Sequence, residues 1–68
     1  MVALQSSNLA SADWDASTKT LTIVFKSGGE YVYSGVPQET YEALLAAPSP
    51  GSFFHAHIKS RYSYSRRA

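Results

Sequence analysis

A chain of 68 residues, 44% hydrophobic and 16% charged, with no cysteine and a formal net charge of +1, makes a single small domain (1–68) whose core is marginal unless well packed. The absence of cysteine removes the disulfide frameworks of small secreted domains and thiolate-rich zinc sites, and no apolar run approaches the ~20 residues of a membrane span. Residues 1–8 also lack the charged and apolar regions of a signal peptide, so a cytoplasmic protein is expected.

Residues 1–7 lack strong periodicity and read as a flexible lead-in. Residues 8–14 are compatible with a first strand, with Ala10, Ala12 and Trp14 on one face and Leu9 on the other. Asp15, Ala16, Ser17 and Thr18 then supply turn chemistry. Residues 20–26 form the clearest strand: Leu21, Ile23 and Phe25 alternate with Thr22, Val24 and Lys26, and β-branched and aromatic residues dominate. Ser27, Gly28 and Gly29 turn the chain, and the third strand starts at Glu30, carries Tyr31 and Tyr33, and ends at Ser34 or Gly35.

Pro37 suits the first turn of a helix over 37–47, in which Tyr41, Leu44 and Leu45 make an i, i+3, i+4 apolar stripe. Glu39 complements the helix dipole there. Pro48, Ser49, Pro50 and Gly51 stop this helix. Ser52 is placed to cap a second, short helix through about Lys59, with Phe54 and Ile58 on its buried edge. The remaining residues, basic and aromatic, either add a short extended segment or form a mobile basic tail over 64–68. The expected fold is therefore α+β: a three-stranded antiparallel β-meander, order 1-2-3, followed by two α-helices packed on one face.

The register of the glycine hairpin decides where the tyrosines point. A two-residue Gly28-Gly29 loop pairs Phe25 with Val32 and turns Tyr31 and Tyr33 away from Ile23 and Phe25. A three-residue Ser27-Gly28-Gly29 loop, with Gly29 left-handed, pairs Phe25 with Tyr31 and Ile23 with Tyr33, and sets Lys26 opposite Glu30. One residue of slip exchanges the two faces. The second register is preferred because a small domain needs the area that buried aromatics supply. The expected core is then Trp14, Leu21, Ile23, Phe25, Tyr31, Tyr33, Tyr41, Leu44, Leu45, Phe54 and Ile58.

The ordered set Trp14-Asp15, Leu21-x-Ile23-x-Phe25, Gly28, Tyr31-x-Tyr33, Val36-Pro37, Tyr41, Leu44, Ala47, Gly51, Phe54, Ile58 and Tyr62 resembles the KTSC domain family. That family is named for the C-terminal extension of some lysyl-tRNA synthetases and also occurs as short stand-alone bacterial and phage proteins. The resemblance runs from about Ser7 to Tyr64. Trp14 stands where the family often has tyrosine, and the linker 47–51 is longer than its usual connection. What the resemblance implies about function is RNA binding, suggested by the synthetase association.

Several chemistries find no constellation to carry them. His55 and His57, two apart on a helix, point to different sides, so no metal site is expected. No serine lies in a Gly-x-Ser-x-Gly elbow and the carboxylates are scattered, so neither catalytic residues nor a cofactor are expected, and the protein reads as a non-enzyme.

Charge is distributed unevenly. Residues 1–42 hold Asp13, Asp15, Glu30, Glu39 and Glu42 against Lys19 and Lys26, a balance of −3, whereas residues 43–68 hold Lys59, Arg61, Arg66 and Arg67 with no acid, a balance of +4. Such asymmetry points to an anionic partner. Tyrosines stack on unpaired bases and guanidinium groups pair with phosphates. The candidate nucleic-acid-binding residues are thus His57, Lys59, Arg61, Tyr62, Tyr64, Arg66 and Arg67, with Tyr62 and Tyr64 sharing one face if the segment is extended. The opposing reading packs both rings on the helices and leaves the arginines as solubilising charge. The second functional class is a protein-interaction module that docks a sheet edge or the aromatic-helix surface on a larger protein or on its own copy as a homodimer. No membrane partner is expected.

Overall fold

The strongest alternation in the chain, from Leu21 to Phe25, occupies the middle of the sheet. The computed structural model describes residues 2–67. Its elements in chain order are β1 (Val2–Ala3), β2 (Leu9–Asp15), β3 (Thr20–Phe25), β4 (Glu30–Tyr33), α1 (Gln38–Ala46), α2 (Pro50–His57) and β5 (Tyr64–Arg66). All neighbours are antiparallel, and the five strands lie in the order β1-β2-β3-β4-β5. The α+β class holds, but the sheet has five strands where the alternation predicts three.

The two added strands are of two and three residues, too short to display a period of 2, and each is held by pairing with a longer neighbour. Val2 and Ala3 pair with Ala12 and Ser11 of β2, the Leu4 amide donates to the Ala10 carbonyl at 3.0 Å, and Leu4 is buried. Within the expected flexible lead-in, residues 2–4 are therefore an edge strand with an apolar anchor, and Met1 lies outside the described residues. At the other end, Tyr64–Arg66 pairs with β4, so the extended alternative for the C-terminal segment is the one adopted; Ala68, the last residue of the expected mobile tail, lies outside the described residues.

Two local irregularities set which side chains face inward. In β2 the register shifts between Leu9 and Ser11, Leu9 facing Phe25 but Ser11 facing Val24. This bulge inserts one residue and turns both Leu9 and Ala12 to the interior, whereas strict alternation separates them. In the β3–β4 hairpin, Ile23 faces Tyr31 and Leu21 faces Tyr33. The Gly28 amide donates to the Phe25 carbonyl at 2.9 Å and the Phe25 amide to the Gly29 carbonyl at 2.8 Å. The loop is Lys26-Ser27-Gly28, and the left-handed residue is Gly28, at φ 107°, instead of Gly29. The expected Phe25–Tyr31 and Lys26–Glu30 pairs are thus displaced by two positions; Glu30 faces Val24. A shift of two preserves the face, so both tyrosines still lie on the side of Leu21, Ile23 and Phe25.

The helices cover that side. Helix α1 starts after Pro37 with no side-chain cap and places Leu44 in the core. Helix α2 begins earlier than Ser52 predicts: Ser49 is its N-cap and Pro50 its first residue, the position where proline's missing N–H costs nothing. It ends at His57, two residues short of Lys59. Gly51 lets the β1–β2 loop close on this first turn, since a Cβ there would meet Asn8 Oδ1 at 2.7 Å and Ser6 Oγ at 2.9 Å.

Leu21, Ile23, Tyr33, Leu44, Phe54 and Ile58 are buried together with Leu4, Leu9, Ala12 and Val36, and Trp14, Phe25, Tyr31 and Tyr41 pack half-buried against them. Leu45 is not core: it is 37% exposed and lines a shallow groove with Val2, Leu4 and Pro48. Leu44 and Leu45 lie about 100° apart around the helix, and Leu44 is the one that faces the core. Trp14 pins the strand–helix corner by donating its indole N–H to the Val36 carbonyl at 2.8 Å and stacking on Tyr41 at 6.0 Å.

Candidate functional site

Antiparallel pairing of β5 with β4 sets Tyr64 opposite Tyr33 and Arg66 opposite Tyr31, all on the helix-bearing side. Beyond the edge of α2 this side is only partly covered, and five aromatic rings meet there in a closed circuit. Phe25 contacts Tyr31 at 5.4 Å and Phe54 at 5.5 Å, both edge-to-face. Phe54 contacts Tyr33 edge-to-face at 5.4 Å. Tyr64 closes the circuit, tilted against Tyr33 at 5.4 Å and Tyr31 at 5.5 Å. Ring pairs at these distances add to the stability that burial alone provides.

The circuit walls a cleft of about 550 Å³, within the range of small-ligand sites. His55 and Lys59 line it as cationic or ionisable groups, Asn8, Ser27 and Ser60 supply polar atoms, and among the described residues no acid contributes. Tyr33 forms part of the wall at 3% exposure, whereas Tyr64 is 57% exposed. Burial, with Tyr64 and then Tyr31 adding, pushes the Tyr33 hydroxyl up to about 12, so it stays a neutral hydrogen-bonding group at physiological pH.

The residues expected to bind nucleic acid divide into groups. Lys59 and Tyr64 line the cleft, and the Arg66 guanidinium lies 5.8 Å from the centre of the Tyr31 ring, a cation–π distance. Arg67 points to the other side of the sheet, where its Nη1 donates to Glu30 Oε2 at 3.3 Å. Arg61 is exposed in the turn after α2, and His57 packs on Phe53 with ring centres 4.7 Å apart. Tyr62 is half-buried against the core and its hydroxyl approaches Thr40 of α1 at 3.4 Å. The expected Tyr62–Tyr64 pair is therefore divided: Tyr62 lies in a bend, not a strand, and serves the helix packing, while Tyr64 joins Tyr31 and Tyr33.

Sequence reasoning passed over Asn8, Ser27, His55 and Ser60 as site residues and assigned Phe25, Tyr31, Tyr33 and Phe54 to core alone. The available signal was the charge-rich aromatic segment after α2; nothing local says that it returns to β4. Among the described residues no three His, Cys, Asp or Glu side chains gather as a metal site, and no helix is long and apolar enough to cross a membrane.

The KTSC domain model matches residues 5–62, most of the length just described. The chain belongs to the KTSC domain family. A solved KTSC domain protein from Yersinia pestis superposes with a TM-score of 0.92 at 31% identity, over 96% of this chain and 92% of that one. An uncharacterized protein of Stutzerimonas stutzeri is 44% identical over 66 residues, covering 96% of this chain and 93% of its own length. A lysine–tRNA ligase of Trichormus variabilis is 42% identical over 53 residues, 78% of this chain. The chain spans only 9% of the length of that ligase and of a second from Nostoc. The KTSC domain thus occurs both as nearly all of a small bacterial protein and as a small segment of a far larger enzyme. In this chain the match ends at Tyr62, so β5 and the Tyr64 wall lie beyond it.

Proposed function

We propose that this KTSC domain is a small, non-enzymatic, cytoplasmic module that binds RNA or another single-stranded nucleic acid, through the aromatic cleft and the basic segment that borders it. The observation that carries the reading is an exposed tyrosine, Tyr64, in an aromatic cleft lined by Lys59 and His55 and, among the described residues, by no acid. Single strands offer what such a surface takes: unpaired bases for the ring and phosphates for the cations. The relatives named as lysine–tRNA ligases support it by association.

The test is an NMR titration with a short oligouridylate of about eight nucleotides at low salt. Amide shifts are expected along residues 57–67 and at Tyr31, and the double variant Arg66→Ala, Arg67→Ala weakens binding. No shift at low salt overturns the proposal. A protein-interaction role is the second reading, favoured by the apolar character of the cleft walls, which also suit an aromatic side chain of a larger partner. Nuclease-resistant capture of one specific protein, without oligonucleotide binding, is the result that would replace the first reading by this one.

A further inference from the structure

The cleft and the basic segment are not equivalent surfaces. Arg61 lies in an exposed turn and Arg67 on the opposite side of the sheet, tied to Glu30; groups so spread touch a backbone loosely. The cleft, in contrast, is concave, walled by the ring circuit, and has one ring with a largely solvent-exposed surface. We infer that it is a pocket for one unstacked nucleotide, with the base against Tyr64 and its phosphate at Lys59. This inference rests on the nucleic-acid reading and adds to it a ligand class, the nucleoside monophosphate unit, and a site that no basic-tail model contains.

Three features of the cleft select that occupant. Its volume of about 550 Å³ lies in the middle of the small-ligand range, suited to one planar ring with its sugar and too small for a stretch of chain. The basic groups stand apart from the tyrosines: Lys59 and His55 come from α2 and the turn after it, while the rings of Tyr31, Tyr33 and Tyr64 come from β4 and β5; Phe54 adds a ring from α2, and Asn8 and Ser27 add neutral polar atoms from two loops. A nucleotide has the same division, an apolar π-face at one end and an anion at the other. Finally, among the described residues that line the cleft, the charge is of one sign. The nearest carboxylate in sequence, Glu30, faces away from the cleft in partnership with Arg67. An uncharged aromatic side chain of a protein leaves the Lys59 ammonium unanswered; a phosphate answers it, in a charge-assisted hydrogen bond. The neutral Tyr33 hydroxyl and the Asn8 amide are the groups available to the edge of the base.

The experiment compares uridine and adenosine 5′-monophosphates, the free nucleosides, inorganic phosphate and an acetylated tryptophan amide in amide-shift titrations of the full chain, beside the oligouridylate. The monophosphates are expected to shift Tyr31, Phe54, Lys59 and Tyr64, the nucleosides to bind about tenfold more weakly, and phosphate alone to leave the ring residues unmoved. Tyr64→Ala lowers monophosphate affinity about tenfold, the scale of one lost base–aromatic stack. Because that change also alters an edge strand, the exposed Lys59→Gln is the second variant: it removes the preference for monophosphate over nucleoside and leaves the nucleoside affinity unchanged. Oligonucleotide binding without monophosphate shifts in the cleft overturns this inference and leaves the broader reading standing. Absence of oligonucleotide binding overturns the broader reading. Equal shifts from the tryptophan amide and the monophosphates overturn the assignment in favour of a protein side chain.

Discussion

At the scale of single residues, Tyr33 joins stability to the cleft. Its ring is buried between Leu21 and Phe54 and walls the site, so Tyr33→Ala is expected to cost on the order of 3 kcal/mol in chemical denaturation. A loss under about 0.5 kcal/mol, typical of surface positions, would remove it from the core. The hydroxyl gives an independent check. Its neutral form is favoured in the folded state, with ionisation moved from 10.0 up to about 12. The associated stability is therefore complete below pH 10 and disappears as pH rises through about 12. Tm should fall across that window, and Tyr33→Phe should flatten the fall. Tyr41, also raised by burial and by Asp13, contributes to the slope that remains. The importance of Tyr33 is legible in the chain because a tyrosine two positions from another in a β pattern must face the same way; what it borders is not.

At the scale of elements, turns decide more than strands. Gly28 holds φ 107° in the β3–β4 loop, and Lys19 holds φ 54° at the end of the β2–β3 turn. Left-handed backbone is nearly free for glycine and costs an L side chain roughly 1–2 kcal/mol. Gly28→Ala should therefore destabilise by about 1–2 kcal/mol and Lys19→Gly should stabilise by up to about 1 kcal/mol, both read from urea midpoints. A neutral Gly28→Ala would mean that the hairpin uses Gly29 after all. The hairpin shows what local reasoning resolves. Ser27, Gly28 and Gly29 announce a tight loop, and the need for a core selects the face, but two three-residue loops offset by one position, whose strand pairings differ by two, satisfy both conditions. Only the hydrogen bonds of Phe25 with Gly28 and Gly29 distinguish them. The β2 bulge is harder still, since Leu9 and Ala12 satisfy no period of 2.

At the scale of the whole molecule, the charge asymmetry of the sequence is partly rearranged by folding. Of the four cations after residue 43, Lys59, Arg61, Arg66 and Arg67, Arg67 is drawn to Glu30 across the sheet edge. Oligonucleotide affinity should then fall with log salt at a slope no steeper than about −3, the limit for four phosphate contacts on a single strand. Glu30→Gln, which frees Arg67, should tighten binding by up to about fivefold at low salt, the value of an exposed ion pair. A steeper slope or an unchanged affinity would place the contacts elsewhere. The sheet edges are also a property of the whole chain: both are strands of two or three residues, a poor template for strand addition. By itself the sequence determined the α+β class, the central three strands, the two helices and the inward face of Tyr31 and Tyr33, because each follows from periodicity and turn chemistry within a short window. Only the tertiary structure decided that Tyr62 packs toward α1 while Tyr64 returns to β4. That pairing joins residues more than 30 positions apart, and a three-residue strand has no period to announce it; it exists because β4 offers an unpaired edge and an aromatic face to cover.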